Sequence, residues 1–144
     1  MLQETVITKA VVESFTAKFI NHIENEVVIV GAGPSGLVLG YYLSKAGIKT
    51  AIYEKKLSPG GGIWGGGMMM NQVILQDSSK SIAEEFSIRL TPYKDEYYYV
   101  DAVEMSAKLI AKAIDAGCAI FNTVEIEDVV VKDNRVGGVV INWT

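Results

Sequence analysis

The sequence predicts an α/β fold: a parallel sheet followed by a β-hairpin. Three observations support this prediction. An apolar run at residues 26–30 leads through a glycine-rich turn into a helix, a second apolar strand follows at 49–53, and a later helix leads into a third strand at 118–121. Strands that alternate with helices form parallel sheets with right-handed crossovers. The length of 144 residues fits one domain.

The remaining elements are predicted from apolar spacing and capping residues. Residues 8–23 read as an amphipathic helix capped by Thr8, which we expect to cover a sheet edge or to dock on another subunit. Glycines are expected to end the helices that precede the second and third strands. The other predicted elements are helices at 34–46, from 79 or 81 to 87, and at 103–116, a short strand or irregular segment at 68–75, a strand at 97–100, and a hairpin of strands 124–131 and 136–143.

Composition excludes several classes of partner. The net charge is −4, the isoelectric point is about 5.0 and there is no basic run, so we expect no nucleic-acid partner. No apolar run reaches the roughly 20 residues of a membrane span, and no secretory signal is recognised. Cys118 is the single cysteine, and an internal disulfide is therefore impossible. We expect a cytoplasmic protein in which Cys118 is a buried structural residue.

The strongest local signal is the sequence GAGPSG at residues 31–36, which follows a predicted strand and opens a predicted helix. In a dinucleotide site, Gly31 permits the tight turn, Gly33 lets the pyrophosphate approach the backbone, and Gly36 lets the helix lie close to the strand. Glu54 stands at the end of the next strand, where a carboxylate accepts hydrogen bonds from the ribose hydroxyls. An acid there disfavours NADP, and Lys55 is expected near the adenosine or a phosphate.

A second glycine cluster covers residues 59–67, with six glycines in nine positions around Ile63 and Trp64. It is either a flexible surface loop or a loop whose backbone closes over the nucleotide or substrate. Trp64 favours the second interpretation, because a large aromatic side chain usually anchors to something. Met68, Met69 and Met70 are interpreted as core or interface filler rather than as a metal site.

Together, residues 31–36, the sequence Tyr53-Glu54-Lys55 and the glycine–tryptophan run at 59–68 resemble the thiamine thiazole synthase family. Residues 98–104 and 116–142 are similar to that family too, so the likeness spans 26–144. The resemblance implies a Rossmann-like FAD/NAD(P)-binding fold. It also implies that NAD is a substrate, condensed with glycine and a sulfur source to give an adenylated thiazole. The motifs are closer to the sulfide-dependent members, which hold an iron ion, and the family forms ring-like homo-oligomers, typically octamers.

By position in that family, Ser35 lies near the pyrophosphate and Ile126 offers backbone groups to the adenine. The family's metal ligands, sulfur-donor position and glycine-binding region lie beyond the point that matches Thr144. We therefore assign no catalytic or metal-binding residue, and we expect residues 26–144 to be an incomplete dinucleotide-binding domain that follows a helical unit at 1–25. The candidate nucleotide-binding residues are Gly31, Gly33, Ser35, Gly36, Glu54, Lys55, Gly62 and Ile126.

Two other functions remain open from the sequence. The first glycine motif also serves FAD, so the chain is alternatively a fragment of an FAD-dependent oxidoreductase. It is also readable as a non-catalytic nucleotide-binding or assembly module. His22 is interpreted as a surface or helix-end residue, and three acidic pairs as solvated, namely Glu84 with Glu85, Asp95 with Glu96, and Glu127 with Asp128.

Overall fold

The computed structural model describes residues 3–144; Met1 and Leu2, which belong to the expected unit at 1–25, lie outside the described residues. The helices are α1 (Glu4–Asn21), α2 (Pro34–Lys45), α3 (Lys80–Glu85) and α4 (Ala102–Asp115). The strands are β1 (Val27–Val30), β2 (Thr50–Glu54), β3 (Gln72–Gln76), β4 (Thr91–Pro92), β5 (Tyr97–Asp101), β6 (Ala119–Asn122), β7 (Val124–Lys132) and β8 (Arg135–Trp143).

A parallel sheet in the order β1-β2-β6 forms the centre of the molecule, as the sequence predicts. Ile29 pairs with Ile52, and Tyr53 pairs with Phe121. Because the strands are parallel and in this register, the carboxyl ends of β1 and β2 lie side by side. This edge carries the glycine turn after β1 and Glu54 at the end of β2.

Both faces of the sheet are covered, which explains why its strands are apolar without alternation. One face packs against α2 and α4 through buried side chains that include Ile29, Leu37, Ile52 and Leu109. The other face carries Ala51, Tyr53, Phe121 and Val124, with Phe19 of α1 and Ile126 and Ile141 of the hairpin packed against them.

The expected amphipathic character of the N-terminal helix is wrong. The helix begins at Glu4 rather than at Thr8, and it buries none of its residues. Its apolar residues are not confined to one side: Val11 and Ile20 are nine positions apart, which is about two and a half turns, and both are 61% exposed. Its second half contacts the body, where Phe15 and Phe19 lie against Phe121. The apolar spacing predicted a buried face on this helix, but the rest of the protein does not cover one.

The segment between β2 and α4 is the part that the sequence predicted least well. A three-stranded antiparallel sheet in the order β3-β5-β4 fills it, and β4 was not predicted. Met68, Met69 and Met70 precede β3 and are 85%, 83% and 69% exposed, so their assignment to a core is wrong. Their role as interface residues stays a prediction.

The C-terminal hairpin is confirmed with β7 and β8 paired antiparallel. Asp133 and Asn134 at its tip have φ of 51° and 58°, the backbone that a two-residue turn with the twist of the strands requires. Within residues 3–144, each helix is too short or too polar to cross a lipid bilayer.

Candidate nucleotide-binding site

The glycine turn after β1 is held in place by backbone contacts. Gly31 donates its N–H to the carbonyl of Tyr53 at 2.8 Å, which continues the β1–β2 pairing. Helix α2 then begins at Pro34, and a side-chain carbon at Gly36 would lie 2.2 Å from the carbonyl oxygen of Gly31. This is the close approach of helix and strand that the third glycine of the motif permits. The first N–H groups of α2 have no acceptor within the helix, which suits an anionic ligand.

The Glu54 carboxylate is 6% exposed and lies at the turn. Its Oε2 accepts from the N–H of Ala32 at 2.8 Å, and its Oε1 accepts from the N–H of Lys56 at 2.8 Å. An ionised carboxylate has about four acceptor positions, so these two bonds leave capacity for ligand hydroxyls. Glu54 thus fixes the glycine turn to the end of β2, and it lines the space beside that turn.

A cavity of about 310 Å³ opens at this edge of the sheet, and we call it the Glu54 cavity. Four of the residues predicted from the sequence line it, and they come from three different elements. Gly31 follows β1, Glu54 ends β2 and Lys55 follows it, and Ile126 comes from β7. The fold therefore brings residues up to 95 positions apart around one space (126 − 31 = 95).

The other four predicted residues do not line this cavity. Ser35, at the start of α2, lines a separate and mainly apolar groove of about 480 Å³ between α2, α3 and α4. Gly33 caps the start of α2, Gly36 lies in its first turn, and Gly62 is exposed with open space beside its α-carbon. A contact of these four residues with a nucleotide stays a prediction.

The glycine-rich loop at residues 59–67 packs against the glycine turn that follows β1. Gly60 donates its N–H to the carbonyl of Ala32 at 2.7 Å, and a side-chain carbon at Gly61 would lie 3.2 Å from Cα of Gly33. Trp64 is half-buried and donates from Nε1 to the carbonyl of Pro59 at 2.7 Å. The loop is thus held against the first glycine turn. The Trp64 side chain bonds to the backbone of the loop itself.

Sequence reasoning missed five residues that line the Glu54 cavity: Val30, Tyr53, Lys56, Gly61 and Glu125. Glu125 makes the most informative contact, because its Oε1 lies 3.3 Å from Nζ of Lys55. No sequence signal places Glu125 there, since β7 is far along the chain. Lys56 and Tyr53 adjoin Glu54 and Lys55, so their position next to the predicted acid was a usable signal.

Two residues singled out from the sequence, His22 and Cys118, lie away from the cavity. His22 follows α1, where its Nδ1 bonds Oδ1 of Asn25 at 2.8 Å. Cys118 is buried just before β6, and burial raises the pKa of its thiol, which agrees with a structural role. In the part of the chain described, no group of three or more His, Cys, Asp or Glu side chains is arranged to hold a metal ion.

One of the acidic pairs interpreted as solvated needs correction. Glu85 of α3 accepts from Nζ of Lys45 and from the hydroxyls of Tyr41 and Tyr42 at 2.6 to 3.0 Å. The Lys45 ammonium, followed by the two tyrosine hydroxyls, lowers the pKa of Glu85 to about 2. Glu85 therefore joins α3 to α2, while its neighbour Glu84 is exposed.

Comparisons with solved structures confirm the fold. The crystal structure of Thermovibrio ammonificans THI4 superposes with a TM-score of 0.96 at 46% identity, over 99% of this chain and 56% of that one. A myxobacterial halogenase, described as a variant of FAD-dependent halogenases, matches with a TM-score of 0.63 at 14% identity, over 83% of this chain and 33% of that one. The second likeness shows the fold alone, a Rossmann-like α/β architecture of the type that binds FAD or NAD(P).

Comparisons with curated proteins identify relatives over the whole sequence. A thiamine thiazole synthase of Pyrococcus furiosus is 54% identical over 144 residues, which are 100% of this chain and 57% of the relative. One of Methanothermobacter thermautotrophicus is 46% identical, over 99% of this chain and 55% of the relative. The chain thus spans a little over half the length of these relatives. Residues 8–144 match the Thi4 family, and the resemblance found in the sequence is confirmed: the chain belongs to the Thi4 family.

Proposed function

We propose that this chain binds the adenine-nucleotide part of NAD as the nucleotide-binding half of a thiamine thiazole synthase. The observation that supports the proposal most directly is the Glu54 cavity, where Gly31, Glu54 and Ile126 meet in a chain of the Thi4 family. In the proposed reaction, NAD, glycine and sulfide are converted to an adenylated thiazole. The same site would then hold the product, which keeps the adenine nucleotide.

The residues present fit an adenine nucleotide. Gly31 and Gly33 have no atom within 4 Å of the position that a side-chain carbon would take, which leaves room beside the turn for a diphosphate. The first N–H groups of α2 and the partial positive charge of the helix favour that anion. Glu54 and Ile126 both line the cavity, and in the proposed complex Glu54 would accept from the ribose hydroxyls and the backbone of Ile126 would bond the adenine.

We assign this chain binding and orientation of NAD, and no chemical step. Iron, which the resemblance implies, would supply the sulfur chemistry when bound, but the residues from 3 to 144 do not offer a ligand cluster for it. Cys118 is unsuited to donate sulfur because it is buried and its thiol pKa is raised. Sulfide as the sulfur source, iron dependence and a transferase-type reaction are therefore parts of the proposal that concern the whole enzyme.

The proposal extends to location and assembly. We propose a cytoplasmic enzyme with small-molecule substrates and no nucleic-acid or membrane partner. We also propose a homo-oligomer, with an octamer as the expected form. The exposed apolar residues of α1, among them Val11 and Ile20, and the exposed Met68–Met70 segment support an assembly, since such surfaces commonly lie in interfaces.

Calorimetry with ADP-ribose tests the binding role. Glu54→Ala should weaken binding by about 1–3 kcal/mol, because hydrogen bonds to a charged group are lost. Glu84→Ala is the matched control, since Glu84 is an exposed glutamate of α3 outside the cavity. Equal affinity of the Glu54→Ala variant and the wild type would contradict the assignment.

Mass spectrometry of the purified protein tests the reaction and separates it from the FAD alternative. A co-purified adenylated compound with a thiazole is the expected result. Tightly bound flavin, visible from its absorption bands, would instead favour an FAD-dependent oxidoreductase. If ADP-ribose binds and no thiazole forms with NAD, glycine, iron and sulfide, the chain by itself is a nucleotide-binding module.

A further inference from the structure

Two of the residues that line the Glu54 cavity, Lys55 and Glu125, form an ion pair. Nζ of Lys55 lies 3.3 Å from Oε1 of Glu125, and both residues line the cavity beside Glu54. Lys55 follows β2 directly, and Glu125 is the second residue of β7. The pair therefore connects the end of the parallel sheet with the start of the hairpin, across the space in which the ribose is proposed to lie.

Stability does not account for this pair. The Lys55 side chain is 61% exposed and that of Glu125 is 35% exposed, and exposed ion pairs contribute little to the free energy of folding. Other contacts join the same elements, such as the hydroxyl of Thr144 donating to the carbonyl of Lys55 at 2.9 Å. The position of the pair at the cavity is what distinguishes it.

The ion pair reduces the positive charge that the cavity makes available to a bound anion. Two carboxylates, Glu54 and Glu125, and two ammonium groups, Lys55 and Lys56, surround it. A ribose 2′-phosphate brings about −1.5 to −2 charges at neutral pH and requires cationic partners. Lys55 is the cation directly after the ribose-binding acid, and Glu125 holds its ammonium.

We propose that Glu125 is a specificity-determining residue that acts through Lys55. By engaging the Lys55 ammonium, Glu125 withholds it from a 2′-phosphate, and the cavity selects a nucleotide with a free 2′-hydroxyl. This inference rests on the proposed function, since it requires that an adenine nucleotide occupies the Glu54 cavity. Glu54 repels a 2′-phosphate directly, whereas Glu125 engages the Lys55 ammonium that would otherwise offset this repulsion.

Calorimetric titration with ADP-ribose and with ADP-ribose 2′-phosphate tests the inference. The quantity compared is the ratio of the two dissociation constants, because a general effect on nucleotide binding cancels in it. In the Glu125→Gln variant the preference for ADP-ribose should fall by about tenfold, since a freed ammonium gains a charge-assisted bond to the phosphate. The effect should shrink at high salt, as expected for exposed charges.

Two further variants make the test specific. Glu127→Gln removes the same charge two positions along β7, outside the cavity, and should leave the ratio unchanged. The double variant with Glu125→Gln and Lys55→Gln should return the ratio to the wild-type value within about twofold, because the freed cation is gone. Far-UV circular dichroism and thermal unfolding confirm that each variant is folded.

The outcomes separate the inference from the proposed function. If the wild type binds ADP-ribose and Glu125→Gln leaves the ratio unchanged, the inference is wrong and the proposed function stands. If the ratio shifts equally in the double variant, Lys55 does not mediate the effect and the inference is wrong too. If the folded wild type binds neither nucleotide, the proposed function fails and the inference falls with it.

Discussion

The two glycine segments of this chain look alike in composition and differ in how their glycines are used. In the turn at residues 31–36, Gly31 and Gly33 face open space, and only Gly36 is enclosed, 2.2 Å from a carbonyl oxygen if it carried a side-chain carbon. In the loop at residues 60–67, Gly60, Gly65 and Gly66 are enclosed by atoms of the loop and of β3, and Gly62 faces open space.

The space beside each glycine thus distinguishes glycines that the fold requires from glycines that a bound ligand would require. A glycine whose missing side chain would strike other atoms is required by the fold. A glycine beside open space is required by its backbone where φ is positive, as at Gly31 with φ of 89°, and otherwise only if a ligand fills that space. By this criterion, Gly33 in the first segment and Gly62 in the second are the candidates for ligand contact, and the Gly60–Ala32 hydrogen bond joins the two segments.

The largest effect is expected at Gly36. Gly36→Ala places a carbon against the Gly31 carbonyl, which is backbone and cannot move without displacing the turn. We expect a loss of about 3 kcal/mol or more in the free energy of unfolding, the upper range for overpacking. Chemical denaturation measures it, with Gly137→Ala as the control because nothing lies within 4 Å there. Equal stability of the two variants would contradict the packing role.

A smaller loss of stability is expected at Gly66. This residue has φ of 59° and ψ of −157°, a conformation that side chains disfavour, and a side-chain carbon would lie 2.5 Å from N of Gln72. Gly66→Ala should cost about 2–3 kcal/mol of stability. The ADP-ribose affinity of the folded fraction should stay within about twofold of the wild type, because the strain is local. A large fall in affinity without loss of stability would instead make this loop a ligand contact.

Gly33→Ala should show the opposite behaviour. Gly33 has φ of −73°, which alanine adopts readily, and open space beside it. Stability should change by less than about 1 kcal/mol, the cost of replacing glycine at a helix cap. Affinity for ADP-ribose should fall by about tenfold or more, because the methyl group occupies the path of the pyrophosphate. Unchanged calorimetric affinity would remove Gly33 from the binding turn.

The smallest effect is expected at Trp64. Trp64→Phe removes the donor to the Pro59 carbonyl and keeps the aromatic ring. We expect a loss of about 1 kcal/mol in stability, the usual contribution of one hydrogen bond. Thermal unfolding measures this change, and ADP-ribose titration should give an affinity close to that of the wild type. A strong loss of affinity would show that the indole contacts the nucleotide and is more than an internal anchor.

Local sequence signals predicted the elements that rest on backbone rules. The parallel β1-β2-β6 sheet and the β7–β8 hairpin follow from apolar runs, glycine turns and the Asp133-Asn134 tip. The N-terminal helix was predicted, although it begins at Glu4 rather than at Thr8. Its buried apolar face was not confirmed, because apolar spacing reports where a helix has hydrophobic residues and not what covers them. Segments at 68–75 and 97–100 were expected where β3 and β5 lie, but their antiparallel pairing and strand β4 were missed, because such pairing depends on partners distant in the chain.

The residues of the site divide in the same way, into those that local sequence predicts and those that tertiary packing brings together. Gly31, Glu54 and Lys55 were predicted because a strand, a turn and a helix in sequence place them together. Glu125 could not be predicted, because its contact with Lys55 depends on where the hairpin docks, 70 residues along the chain. Glu85 was misread for the same reason, since its partners Tyr41, Tyr42 and Lys45 belong to another helix.

The sequence by itself determined the order of strands and helices, the glycine turn after β1 and the acid at the end of β2. These features depend on residues close together in the chain, where backbone conformation and short-range hydrogen bonding decide the outcome. The tertiary structure alone decided that Glu125 meets Lys55, that Glu54 bonds the amide of Ala32, and that the second glycine loop supports the first. Such contacts are set by the packing of separate elements against one sheet, which no local pattern encodes.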